Sequence, residues 1–198
     1  YWAAALYELR REMDHMTERA ETALAAASEV GNRVIRSLSE IYLGWADAIA
    51  GDLEGGIARM RAGGTSRPIL IATALGRMGR FDEGLRTIDE SFPFIERTGS
   101  RLYEAEMRRV KGELLLAQDA SNAAPAGQSF RTAIEISRKQ HAKSWELRAT
   151  TSLARLLATQ GHRDEARAML AEIYHWFTEG FDTADLKDAK ALLDELKP

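Results

Sequence analysis

The sequence predicts an all-α protein, a TPR-like right-handed superhelix of about five helical hairpins closed by a C-terminal capping helix. Three observations predict it. A ten-residue phrase is written three times, as Gly51-Asp-Leu-Glu-Gly-Gly56-Ile-Ala-Arg-Met60, Gly79-Arg-Phe-Asp-Glu-Gly84-Leu-Arg-Thr-Ile88 and Gly161-His-Arg-Asp-Glu-Ala166-Arg-Ala-Met-Leu170. Each copy breaks the chain at glycine, starts a helix with an acid, and sets a small residue four places before a large apolar one, as stacked helical repeats do. Apolar residues recur at helical steps, as in Tyr103, Met107, Val110, Leu114 and Ala117 or Ala149, Leu153, Leu156 and Leu157, and no strand-like alternation competes. The prolines Pro68, Pro93, Pro125 and Pro198 fall at junctions or the chain end, where a missing amide donor is tolerated.

The elements follow from registering the small residue of each second helix. Ala20, Gly56, Gly84, Ala126 and Ala166 are followed four residues later by Leu24, Met60, Ile88, Phe130 and Leu170, at successive spacings of 36, 28, 42 and 40. These bracket the TPR period of roughly 34 residues. The expectation is one domain over 1–198, with hairpins at 1–31, 34–63, 67–98, 101–142 and 144–179 and a cap helix at 183–197. Leu43-Gly44 and Val110-Lys-Gly112 place glycine where a first helix presses on its partner, and Ala27 and Ala133 continue the small-residue pattern. Ile69-Leu-Ile71 runs on into Ala72-Thr-Ala-Leu75 and reads as one helix. The short spacing of 28 means either a helix truncated at Gly63-Gly64 or residues missing between Arg61 and Pro68. The long spacing of 42 is assigned to a polar loop, Gln118-Asp-Ala-Ser-Asn-Ala-Ala-Pro125.

Near the C-terminus, Trp176-Phe-Thr-Glu-Gly-Phe-Asp-Thr183 allows two readings. Trp176, Phe177 and Phe181 either form an aromatic pocket for a partner or fasten the last helix to the stack. In the second, Gly180 ends one helix and Asp182 or Thr183 caps the next. The final helix puts Leu186, Ala189, Leu192, Leu193 and Leu196 on one side, the pattern of a solenoid cap.

Composition narrows function. The chain has 198 residues and no cysteine, which removes disulfides, thiolate metal sites and cysteine nucleophiles. Lys and Arg number 27 against 30 Asp and Glu, so a net charge of -3 gives no general pull toward nucleic acid. No apolar run approaches the roughly 20 residues of a membrane helix and no secretory leader opens the chain, so a cytoplasmic location is expected. Opening on Tyr1 suggests a segment of a longer protein.

Chemistry is not expected in this segment. His15, His141, His162 and His175 are scattered and form no His-x-x-x-His pair, so no metal site is expected. Asp164-Glu165 starts a helix, where negative charge is favoured by about 0.3–1 kcal/mol, and Glu104 with Glu106 is the other acid pair. Glycosidase chemistry needs two carboxylates facing across a cleft. No nucleophile elbow and no Gly-Lys phosphate loop occur, and no cofactor is expected. A binding surface belongs instead on the concave side, where first helices line up: Trp45, Arg77, Glu106, Arg109, Glu113, Arg148 and Arg155. Its arginines suit an acidic peptide or a phosphate-bearing ligand. Alternatively Glu106 and Glu113 neutralise them as an interhelical ion-pair lattice. The expected partners are a protein, a peptide, or other domains of the same chain, with no nucleic acid and no membrane bound.

The second half carries a resemblance. Arg108-Arg-Val-Lys-Gly-Glu-Leu-Leu-Leu116, Phe130-Arg-Thr-Ala-Ile134, Ser144-Trp-Glu-Leu-Arg148, Ser152-Leu-Ala-Arg-Leu156 and the 176–183 phrase together resemble one family. It is the C-terminal TPR-like region of bacterial multidomain proteins with an N-terminal class III adenylate or guanylate cyclase domain and a central signalling-type (AAA/STAND) ATPase. The resemblance is strongest over 102–196. It implies a regulatory arm that senses a partner or ligand and controls the ATPase and cyclase. The alternative is the sensor arm of a maltose-activator-like transcription regulator. Neither the ATPase phosphate loop nor cyclase metal aspartates are present, so nothing catalytic is carried over to this chain.

Overall fold

Short turns of two or three residues between helices organise the structure, a computed structural model that describes residues 1–64 and 67–197. At these turns one residue takes left-handed backbone and the next amide reaches back to a carbonyl five residues earlier. Gly31, Gly51, Gly79 and Gly161 hold φ of 68°, 116°, 74° and 86°. The matching bonds run from the amides of Asn32, Asp52, Arg80 and His162 to the carbonyls of Ala27, Asp47, Leu75 and Leu157, at 2.8, 3.0, 2.9 and 2.9 Å. This is the Schellman closure, which satisfies the orphan carbonyls at a helix end and needs φ > 0. The glycine opening each repeated phrase is that residue. Before Lys143–Thr159 and before Met13–Glu29, non-glycine residues take the same post: His141 (φ 55°) and Arg11 (φ 61°).

In chain order the helices are α1 Trp2–Leu9, α2 Met13–Glu29, α3 Arg33–Ala50, α4 Leu53–Ala62, α5 Pro68–Arg77, α6 Phe81–Asp89, α7 Phe92–Thr98, α8 Glu104–Gln118, α9 Ala123–Lys139, α10 Lys143–Thr159, α11 Arg163–Tyr174 and α12 Ala184–Glu195. A 3-10 turn, Ala120–Asn122, joins α8 to α9. The described residues form no strand, and each helix packs chiefly on its neighbours in sequence. The fourth residue of each phrase, Glu54, Asp82 and Asp164, stands in the first turn of its helix, where it opposes the positive end of the helix dipole. Side-chain caps add to this at Asn32, which accepts from the Ile35 amide (3.1 Å), and at Asp52, which accepts from the Gly55 amide (2.9 Å).

Two compact units divide the chain, Tyr1–Thr87 and Ile88–Pro198. The core of the first joins Met16 and Ala20 of α2, Ile41, Tyr42 and Leu43 of α3, Ile57 and Met60 of α4, and Leu70, Ile71 and Leu75 of α5. Tyr42 is fully buried, and its hydroxyl accepts from Arg67 Nη2 at 2.5 Å. In the second unit, Phe130 and Ala133 of α9, Leu147, Leu153 and Leu157 of α10, Leu170 and Ile173 of α11, and the α12 leucines share one core. Here α8 packs on α9, α9 and α11 each pack on α10, and the first helices α8, α10 and α12 also meet in sequence.

The register residues set the closest approaches. Ala20, Gly56, Gly84, Ala126 and Ala166 are buried, as are Met60, Ile88, Phe130 and Leu170, with Leu24 half-buried. A Cβ on Gly56 would lie 2.4 Å from the Gly44 carbonyl oxygen, and one on Gly112 would lie 2.5 Å from Cε1 of Phe130. Helices α3 and α4 therefore touch backbone to backbone, whereas α8 meets α9 through a ring seated on glycine.

The two irregular spacings have different causes. Between Gly56 and Gly84 the helices are short, α4 and α5 having 10 residues each and α6 having 9, and α4 stops at Ala62 with Gly63 as its cap. Gly63 lets α4 close on α3, since a Cβ there would lie 2.6 Å from the Ser37 carbonyl oxygen. The alternative of residues missing between Arg61 and Pro68 falls partly on Thr65 and Ser66, outside the described residues. The expected polar loop over 118–125 is corrected. Helix α8 runs to Gln118 and α9 already starts at Ala123, so Pro125 lies inside its first turn, where the absent amide would have had no intrahelical partner. Pro68 likewise opens α5, and Pro93 sits in the first turn of α7.

The C-terminal connection also departs from expectation. Helix α11 ends at Tyr174, so Gly180 (φ 76°) does not end it but bends the segment that follows. Thr183 is the N-cap of α12 by position, yet its hydroxyl donates to the Gly180 carbonyl at 2.7 Å rather than capping the helix. Of the three aromatics, Phe177 packs against the core while Trp176 and Phe181 stay 58% and 47% exposed. Leu186, Ala189, Leu192, Leu193 and Leu196 are all buried. Arg163 Nη2 donates to the Glu195 carbonyl at 2.5 Å, so a cation meets the negative end of α12.

Candidate functional site: a charge lattice on α8, α10 and α12

Helical spacing alone puts Glu106, Arg109 and Glu113 on one stripe of α8, and Arg148, Ser152 and Arg155 on one stripe of α10. The packing of α8 against α10, and of α10 against α12, brings most of these side chains together. Arg109 forks onto Glu106, with Nε at 2.8 Å from Oε2 and Nη2 at 2.7 Å from Oε1, and its remaining Nη1 bonds Glu113. Arg148 Nη1 reaches Glu106 Oε1 at 3.4 Å, and its Nε donates to Asp185 of α12 at 2.6 Å. The Ser152 hydroxyl donates to Glu113 Oε1 at 3.0 Å.

Burial makes this lattice matter. Glu106 is only 6% exposed, and a buried carboxylate survives only with partners. Burial pushes the Glu106 carboxyl up, but the charges and hydrogen bonds of Arg109 and Arg148 outweigh it and hold it below the usual carboxylate range. For Arg109 burial acts downward, and Glu106 and Glu113 reverse it, holding the guanidinium above its usual value. The forked geometry is the strong form of ion pair. Beside it, Arg148 lies 5.0 Å from the ring centre of Trp145, which meets Tyr103 edge-on at 6.2 Å. Two residues before Arg148, Glu146 is buried between Arg138 and Lys143, each 2.7 Å away; burial raises its carboxyl and those two cations lower it further than burial raises it.

Of the residues expected on a concave surface, Glu106, Arg109, Glu113 and Arg148 form this lattice. Arg155, farther along α10, is exposed. Trp45 and Arg77 belong to the first unit: Trp45 is half-buried against its core, and Arg77 is exposed near the end of α5. Sequence reasoning missed Ser152 and Asp185. Ser152 lies four residues after Arg148, so helical period could have found it; Asp185 is joined only through the fold. A second cluster it missed lies in the first unit, where Arg33, Arg36 and Arg59 line a cleft.

No protein-family model matches the chain, and no curated protein sequence matches it. In the lattice three carboxylates and two guanidiniums hold one another. What the arrangement does is fix three helices in register while keeping a charged, part-exposed edge at Glu113. The histidines stand apart from it. His15 stacks on Tyr7 at 5.0 Å, His175 meets Tyr174 edge-on, His141 occupies a left-handed turn, and His162 is the N-cap of α11. No described helix is long and apolar enough to cross a membrane.

Proposed function

We propose that the chain is a TPR-like interaction and regulatory module, the C-terminal arm of a bacterial cyclase-type signalling ATPase. The observation that carries the reading is the side-by-side packing of successive first helices, α8 with α10 and α10 with α12, each backed by its own second helix where it has one. In a TPR-like solenoid that row lines the concave face, and its side chains select a protein or peptide partner. The repeated turn phrase and the family phrases of 108–183 support it from the sequence side. In this reading the right-handed superhelix holds a partner or another domain of the same chain, in the cytoplasm, and the parent's ATPase and cyclase supply the chemistry.

The test is the reading frame upstream of Tyr1, followed by an assay. The proposal expects an ATPase phosphate loop and cyclase metal aspartates there, and a change of at least several-fold in cyclase activity when 1–198 is deleted from the longer protein. A helix-turn-helix output in place of the cyclase assigns the arm instead to a maltose-activator-like regulator. A frame encoding neither, or a cyclase indifferent to the deletion, overturns the proposal.

A further inference from the structure

We propose that the first unit carries an anion site for a phosphorylated small molecule in the cleft between the start of α3 and the end of α4. The cleft has a volume of about 530 Å³ and is lined by Arg33, Arg36, Ser37, Glu40, Arg59, Ala62 and Gly63. That volume lies within the roughly 300–1,000 Å³ of small-ligand sites.

The lining has a simple origin. Arg33, Arg36, Ser37 and Glu40 follow the i, i+3, i+4, i+7 stripe of one helix face. The chain end of α4 closes the cleft because Gly63 carries no side chain to hold it off α3. Charge then decides the ligand class. Arg59 is already engaged, with Nε 2.6 Å from Glu40 and Nη1 2.9 Å from Asp47. Arg33 and Arg36 are exposed, and among the described residues neither has an ion-pair partner. Arg59 is shared between Glu40 and Asp47, so Glu40 is only partly neutralised, but Arg33 and Arg36 still leave the cleft net positive.

Those cations are also badly placed for helix stability. They sit in the first and second turns of α3, which has no acid in its first turn; there the helix dipole repels positive charge and like charges three residues apart repel each other. A phosphate relieves the repulsion between the two arginines and is drawn to the start of α3, while the carbonyl end of α4 across the cleft opposes it, so paired hydrogen bonds from two guanidinium forks carry the binding, with the Ser37 hydroxyl as a further donor on the lining. A single peptide carboxylate would satisfy one guanidinium, whereas a compact, multiply charged phosphate head in this solvent-open cleft can accept from both at once.

The inference goes beyond the interaction-module reading and does not need it, because every residue lies in one unit and the test uses this chain alone. Titration calorimetry with inorganic pyrophosphate at fixed ionic strength is the assay. Saturable 1:1 binding is expected, weakened about tenfold by Arg33→Gln or Arg36→Gln alone, more by the pair, and unchanged by Arg167→Gln on α11. Hydrogen exchange of residues 33–37 should slow when pyrophosphate is added to the unsubstituted protein. Both arginines are exposed, so the variants should fold, which circular dichroism checks. Binding that fails to saturate, that survives the double substitution, or that leaves exchange at 33–37 unaltered overturns the proposal and reduces the effect to ionic strength only.

Discussion

Replacing Gly56 with alanine should loosen the first unit, because the methyl group would have backbone on every side. An added Cβ would stand 2.4 Å from the Gly44 carbonyl oxygen, 2.7 Å from the Ala48 amide nitrogen and 2.8 Å from the Ala48 Cβ. Carbon to oxygen contacts of this kind settle at about 3.3 Å or more, so α4 must withdraw by roughly 1 Å. No rotamer can absorb that, since two of the obstructing atoms are main chain and the third is a Cβ fixed to it. The withdrawal reaches Ile57, Met60 and Ile41, all fully buried, and a gap of 0.5–1 Å forfeits about a quarter to a half of each dispersion contact. Alanine returns about 1 kcal/mol of helix propensity. Overpacking is worth about 1–3 kcal/mol, occasionally more, and two-sided backbone contact places this site at the upper end, for a net loss of about 2 kcal/mol. A unit of 60–100 residues loses about 4–8 °C per kcal/mol, so its thermal midpoint should fall by roughly 10 °C. Gly127→Ala in α9 is the control: its Cβ would meet only the flexible end of Arg131 at 3.3 Å and a Leu156 methyl at 3.4 Å, so it should gain about 0.5–1 kcal/mol. Thermal and urea melts followed by circular dichroism compare them. An unshifted Gly56→Ala transition would refute the backbone-contact account of the α3–α4 pair.

Three other outcomes are expected. His141→Gly should raise stability by about 1 kcal/mol in a urea melt, because an L side chain at φ 55° bears a penalty that glycine escapes; a loss would show that the imidazole makes a compensating contact. Glu106→Gln should cost about 3 kcal/mol, since it leaves two guanidiniums short of a buried charge. The native carboxyl sits below its ordinary 4.5, so its contribution is full above that value and fades as pH falls through the lowered native pKa. The unsubstituted second unit should therefore lose stability below about pH 4.5 more steeply than the Glu106→Gln variant, and parallel melts across pH 3–6 check it. Deleting 182–198 should destabilise the second unit by uncovering the core under α12 and breaking the Arg148–Asp185 pair (2.6 Å); an unchanged melting temperature would refute the capping role.

Local chemistry was legible in the sequence to different depths. The all-helical character followed from period, from the repeated turn phrase and from prolines confined to junctions or the chain end. The buried face of α12 was readable from spacing, because five apolar positions on one side of an otherwise charged helix have one way to face. The 118–125 segment misled because its small polar residues suit a loop and a helix start equally, and only the continuation into α9 decides between them. The aromatic phrase stayed open between two readings because residue type alone does not say which rings pack: the structure packs Phe177 on the core and leaves Trp176 and Phe181 at the surface.

By itself the sequence determined most helix boundaries, outside the 118–125 and 174–183 segments, since left-handed turns, first-turn acids and small-then-large steps act over a few residues. Only the tertiary structure decided what the charged residues do. Glu106 and Arg148 are 42 positions apart and Asp185 another 37 along the chain, and no local rule pairs them. Arg33 and Arg36 look no different in sequence from Arg109 and Arg148, yet one pair is exposed beside a cleft and the other is held by acids. Side-chain charge is fixed by residue type, but its compensation depends on which helices the fold sets side by side.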